Sequence, residues 1–82
     1  MEEIKAWLKR KKDVDEVLRI ISLREGDVRV FVLLPAYDLG AKSLGRILFD
    51  PNGYWIYDGE ELCVEEQEHV AAFIEQKVFG KR

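Results

Sequence analysis

Three places in this 82-residue chain hold residue types at spacings that could support chemistry. The first is Cys63, just ahead of Glu65, Glu66 and Glu68, with His69 six residues on. A thiol at a helix N-terminus ionises more readily, and a histidine can accept its proton. Three nearby glutamates oppose the thiolate. Six residues is also about 240° around an ideal helix, so Cys63 and His69 would not share a face. A lone cysteine more commonly serves as a small buried hydrophobe. A thiol-dependent enzyme at Cys63 therefore ranks third among the functional readings.

The second place resembles a calcium loop in its spacing. Counting from Asp50 as position 1, Asn52 falls at 3, Asp58 at 9 and Glu61 at 12. Position 6 of such a loop needs glycine for its sharp bend, and here it is Trp55 within the strand-like run Tyr54–Tyr57. Asp50, Asn52 and Gly53 are better explained as turn residues. The third place, Gly40-Ala41-Lys42-Ser43, lacks the adjacent Gly-Lys and the earlier glycine of a phosphate loop. With one cysteine and one histidine, no zinc ligand set can be assembled within the chain. No catalytic residue, metal or cofactor is expected.

Two surfaces remain. Lys9, Arg10, Lys11 and Lys12 form a basic run that could contact phosphates; together with Arg29 and the sheet aromatics they give a weak nucleic-acid-binding domain as the second-ranked reading. A net charge of −3 with interspersed signs argues against a binder dominated by phosphate contacts. The aromatic set Phe49, Trp55 and Tyr57, with Tyr37 near, is either core beneath Trp7 and Phe73 or an open patch. Rigid apolar rings with polar tips are favoured at protein interfaces. The leading reading is a non-enzymatic interaction module that buries this aromatic sheet face against a protein partner, plausibly its own copy as a homodimer.

These surfaces must be positioned by one α+β domain spanning residues 1–82. The composition, 48% hydrophobic and 35% charged, is that of a folded protein rather than a disordered one. A chain of this length buries only about 60–65% of its unfolded surface, so dimerisation would help it. A single cysteine, no apparent signal peptide over Met1–Lys12 and no apolar run long enough for a bilayer make a cytoplasmic location the expectation. Many Glu, Lys and Arg with no Thr lean towards a heat-adapted source.

Leu44–Gly59 gives the sharpest structural expectation. Pro51 and Asn52 suit the central positions of a type I turn, and Gly53 suits the left-handed residue of a G1 bulge. That three-residue loop pairs Asp50 with Tyr54, Phe49 with Trp55, Leu48 with Ile56, Ile47 with Tyr57 and Arg46 with Asp58. Alternation puts Leu48, Ile56 and Tyr54 on one face and Ile47, Phe49, Trp55 and Tyr57 on the other.

The flanking segments complete the outline. Glu2–Lys12 reads as an amphipathic helix with Ile4, Trp7 and Leu8 on one stripe and charges matched to its dipole. Asp13–Glu25 has helical spacing at Val14, Val17, Leu18 and Ile21, but its β-branched density favours a strand paired with Val28–Leu34. A Glu25-Gly26 loop would set Leu23 opposite Val28 and Arg24 opposite Asp27. Pro35–Ser43 is an irregular connection. Val64–Phe79 reads as a helix whose buried stripe is Val70, Phe73, Ile74 and Lys77–Val78, with Gly80 as its stop. The expected fold is a small antiparallel four-stranded β-sheet of two hairpins, flanked by an N-terminal and a C-terminal helix.

Overall fold

The computed structural model describes residues 2–8, 15–36 and 42–80. It shows an antiparallel sheet of five strands and one C-terminal helix: β1 (Glu2–Leu8), β2 (Glu16–Glu25), β3 (Val28–Pro35), β4 (Gly45–Phe49), β5 (Trp55–Asp58) and α1 (Val64–Val78). The strands lie in chain order, β1-β2-β3-β4-β5, as a meander without crossovers.

The expected N-terminal helix is a strand. Ile4, Trp7 and Leu8 fit a helical stripe, but Ile4, Ala6 and Leu8 fit strand alternation equally well. What decides between them is β2, which offers a long free edge. β1 pairs along it from Glu2↔Ser22 to Leu8↔Glu16, satisfying backbone groups on both strands. Ile4, Ala6 and Leu8 then point into the core, while Glu3, Lys5 and Trp7 point away.

β2 and β3 pair as the β-rich reading anticipated, but two residues out of the expected register. Leu23 stands opposite Val30 and Glu25 opposite Val28, so the two-residue loop is Gly26-Asp27. Tight hairpin loops of this length need positive φ at their first central residue. Gly26 takes it freely, at φ 62°, whereas a Glu25-Gly26 loop would have put that burden on Glu25. A shift of two leaves every side chain on its expected face.

The β4–β5 hairpin has the anticipated register throughout, from Arg46↔Asp58 to Phe49↔Trp55. Asp50 N–H donates to the Tyr54 carbonyl at 2.9 Å, and Gly53 has φ 90°. α1 ends as expected, with Phe79 N–H bonding the Glu75 carbonyl at 3.1 Å and Gly80 at φ 69°.

The core lies between one sheet face and α1. Leu18, Ile20, Phe31, Leu33, Ile47 and Phe49 meet Val70, Ala71 and Ile74 there. A 15-residue helix is about 22 Å long and 10–12 Å wide, so α1 can cover one face of five strands and no more. No helix among the described residues is long and apolar enough to cross a membrane.

Candidate functional site

The register determines what each sheet face carries. On the face turned away from α1, Leu23, Val30, Leu48 and Ile56 form one unbroken row across β2, β3, β4 and β5. The next row, Glu3, Ile21, Val32, Arg46 and Asp58, runs across all five strands. Trp7, Val17, Val28, Leu34 and Tyr54 extend the apolar surface by alternation. Six large hydrophobic side chains are exposed among the described residues. Four of them lie on this face: Trp7 (65%), Leu23 (40%), Tyr54 (75%) and Ile56 (65%). A solvated antiparallel face normally alternates to polar residues. This one keeps an apolar centre and places charge towards its edges.

Two pairs of those charges are held within the chain. Arg19 Nε donates to Glu3 Oε1 on the β1–β2 side. Arg46 donates to Asp58 Oδ2 on the β4–β5 side. The hydrogen bond to Asp58, and then its charge, hold the Arg46 pKa above its ordinary value. Trp7 Nε1 donates to Asp15 Oδ2 at 3.2 Å, which anchors the indole while leaving its rings open.

Three of the aromatic residues expected at a partner surface, Phe49, Trp55 and Tyr57, lie on the α1 side of the sheet. Phe49 is only 1% exposed and belongs to the core. Its ring centroid is 5.6 Å from Phe31 in an edge-to-face arrangement and 5.1 Å from Phe79. Trp55 and Tyr57 are half-buried against the same core. They fall on the α1 side because they pair with Phe49 and Ile47, which the helix covers. Tyr57 has a bonding role: its hydroxyl donates to the Leu44 carbonyl and accepts the Glu61 and Leu62 amides, each at 3.3 Å. Tyr37 and Lys9–Lys12 lie outside the described residues.

The residues with apparent chemical spacing are engaged in structure. Asp50 Oδ1 accepts the Asn52 and Tyr54 amides, both at 2.9 Å, so it builds the turn. Asp58 holds Arg46, and no group of three or more potential metal ligands occurs among the described residues. Cys63 is exposed, not a buried hydrophobe. It occupies the N-cap of α1, where its N–H donates to Glu66 Oε1 at 2.9 Å. Glu66 is buried at 6% exposure in the first turn of the helix. Arg29, a residue of the nucleic-acid reading, is engaged within the fold. Its Nη2 donates to Ser22 Oγ at 3.0 Å, and its guanidinium stacks 5.5 Å from Phe31 and 5.6 Å from Phe79.

No protein-family model, curated protein or solved structure matches the chain at a significant level.

Proposed function

We propose that this protein is a non-enzymatic interaction module and that a second copy of the chain docks on the sheet face opposite α1. The observation that carries this reading is the placement of four of the six exposed large hydrophobics on that one face. Contiguous exposed apolar side chains on one face often mark an interaction site.

Size and charge both suit a second copy. Five strands about 4.8 Å apart and some six residues tall give a plane of roughly 500 Å². Two copies would bury about 1,000 Å², near the lower bound for a specific interface. The two edges carry opposite charges in pairs, Glu3 with Arg19 and Asp58 with Arg46, with Lys5 adding one further base near β1, so a two-fold partner meets little concentration of like charge. The thin core of a short chain gives self-association a further energetic motive.

The test is sedimentation equilibrium over a wide protein range, on the wild type and on Ile56→Lys. Ile56 is 65% exposed, so lysine there leaves the core intact while placing a charge on the proposed interface. A concentration-dependent dimer that the substitution abolishes supports the reading. A monomer at every concentration, or a dimer indifferent to Ile56→Lys, overturns it. The nucleic-acid reading has no comparable support: Lys9–Lys12 lie outside the described residues, and Arg29 is engaged by Ser22, Phe31 and Phe79.

A further inference from the structure

The sheet ends in two strands whose outer edges differ. β5 has four residues. Asp50 N–H bonds the Tyr54 carbonyl and the ladder alternates from there, so only Trp55 and Tyr57 turn their backbone groups to the open side of β5. An edge that short is poorly suited to adding a strand. β1 runs for seven residues without proline or glycine, and its pairing with β2 continues unbroken from Glu2 to Leu8. No described strand lies on its outer side.

The ladder also identifies the backbone groups that the β1 edge presents. Ala36 N–H bonds the Val17 carbonyl at 2.9 Å, so Val17 and every second residue of β2 after it turn to β3. Leu18 and Ile20 therefore turn to β1, where they meet Ala6 and Ile4. Glu3, Lys5 and Trp7 direct their N–H and C=O groups outwards, and all three residues are exposed. Such a row of backbone donors and acceptors is a template for another strand.

The side chains of the same edge select the strand that fits. A lysine on an edge strand ordinarily keeps copies apart. In β1 it is accompanied by Glu3, two residues back on the same face. Antiparallel pairing of β1 with itself about Ile4 sets Glu3 of each copy opposite Lys5 of the other, and Ile4 opposite Ile4. Opposite charges directly across from each other favour a strand pair, whereas pairing about Lys5 would set lysine against lysine. Within its own sheet Lys5 faces a like charge, since its partner in β2 is Arg19, and Arg19 turns to Glu3. The Glu3 side chain is 46% exposed with that bond in place, and a carboxylate accepts at both oxygens, so a second cation can reach it.

We propose that the outer edge of β1 pairs antiparallel with β1 of a second copy, Glu3 of each chain opposite Lys5 of the other, joining two sheets into one. A two-fold axis beside Ile4 relates the copies. This contact is separate from docking of the sheet face and does not depend on it.

The test is amide hydrogen exchange by NMR, from micromolar to millimolar protein, on the wild type and on Ile56→Lys. That substitution removes face docking, so failure of the face contact and failure of the edge contact give different results. Exchange at Glu3 and Lys5 is expected to slow severalfold with rising concentration in both proteins, while Ile4 and Ala6 exchange slowly throughout because they bond β2. Lys5→Glu should abolish the concentration dependence by placing a second carboxylate opposite Glu3 of the copy. The variant still folds, because its new carboxylate lies across from Arg19. Exchanging the two charges, Glu3→Lys with Lys5→Glu, should restore the dependence. Exchange at Glu3 and Lys5 that ignores concentration, that slows equally in Lys5→Glu, or that the double variant fails to restore overturns the proposal.

Discussion

Tyr57 donates its hydroxyl hydrogen to the carbonyl of Leu44, joining the end of the β3–β4 connection to β5. The same oxygen accepts the Glu61 and Leu62 amides, so one phenol orders the entry to β4 and the approach to α1 together. This relationship explains why a residue suited to an interface is needed inside the molecule.

Tyr57→Phe keeps the ring and removes all three bonds. Because it leaves the Leu44 carbonyl and two amides short of a partner, the expected loss is about 1–3 kcal/mol, read from urea unfolding. Hydrogen exchange at Glu61 and Leu62 should accelerate more than exchange in β2 and β3.

Gly45 has φ 112°, and a Cβ built there would lie 2.6 Å from the Tyr57 ring. Gly45→Ala therefore combines backbone strain with a clash, and about 2–4 kcal/mol of destabilisation is expected. Combining it with Tyr57→Leu should relieve the clash and leave the strain. A double-mutant cycle would then show the two sites to be strongly non-additive.

Phe49 and Ile56 should separate stability from association. Phe49→Ala empties a buried site between Phe31 and Phe79, at a cost of about 3–5 kcal/mol. Ile56→Ala should shift unfolding by no more than about 0.5 kcal/mol while weakening the dimer. Thermal melts of dilute samples check the first effect, and sedimentation checks the second.

Trp7 reports on the same face. Its indole is 65% exposed, whereas Trp55 is half-buried against the core. Acrylamide quenching of Trp7 should be strong in dilute protein and weaken as the concentration rises. In Trp7→Phe, quenching should no longer vary with concentration. Shielding that never appears would count against docking on this face.

Local chemistry made the β4–β5 hairpin legible in the sequence, since Pro51, Asn52 and Gly53 specify one loop and the loop specifies the register. The end of α1 was legible for the same reason, with Gly80 free to adopt positive φ. The β2–β3 pairing was legible only in part. Both registers offer apolar pairs, Ile20 with Leu33, Ile21 with Val32 and Leu23 with Val30 in the one adopted, and the conformational demand on the first loop residue favours the register with Gly26 there. β1 was misread because its four apolar residues, Ile4, Ala6, Trp7 and Leu8, hold a helical and a strand periodicity at once, and only the edge of β2 distinguishes them.

By itself the sequence determined which side chains share a strand face, because alternation and turn geometry are local properties. It could not determine which face α1 would cover. That choice sent Phe49, Trp55 and Tyr57 to the core side and left Leu23, Tyr54 and Ile56 exposed. Both faces were apolar enough to pack, so local pattern could not rank them. One helix about half as wide as the sheet had to take one face, and tertiary packing made the selection.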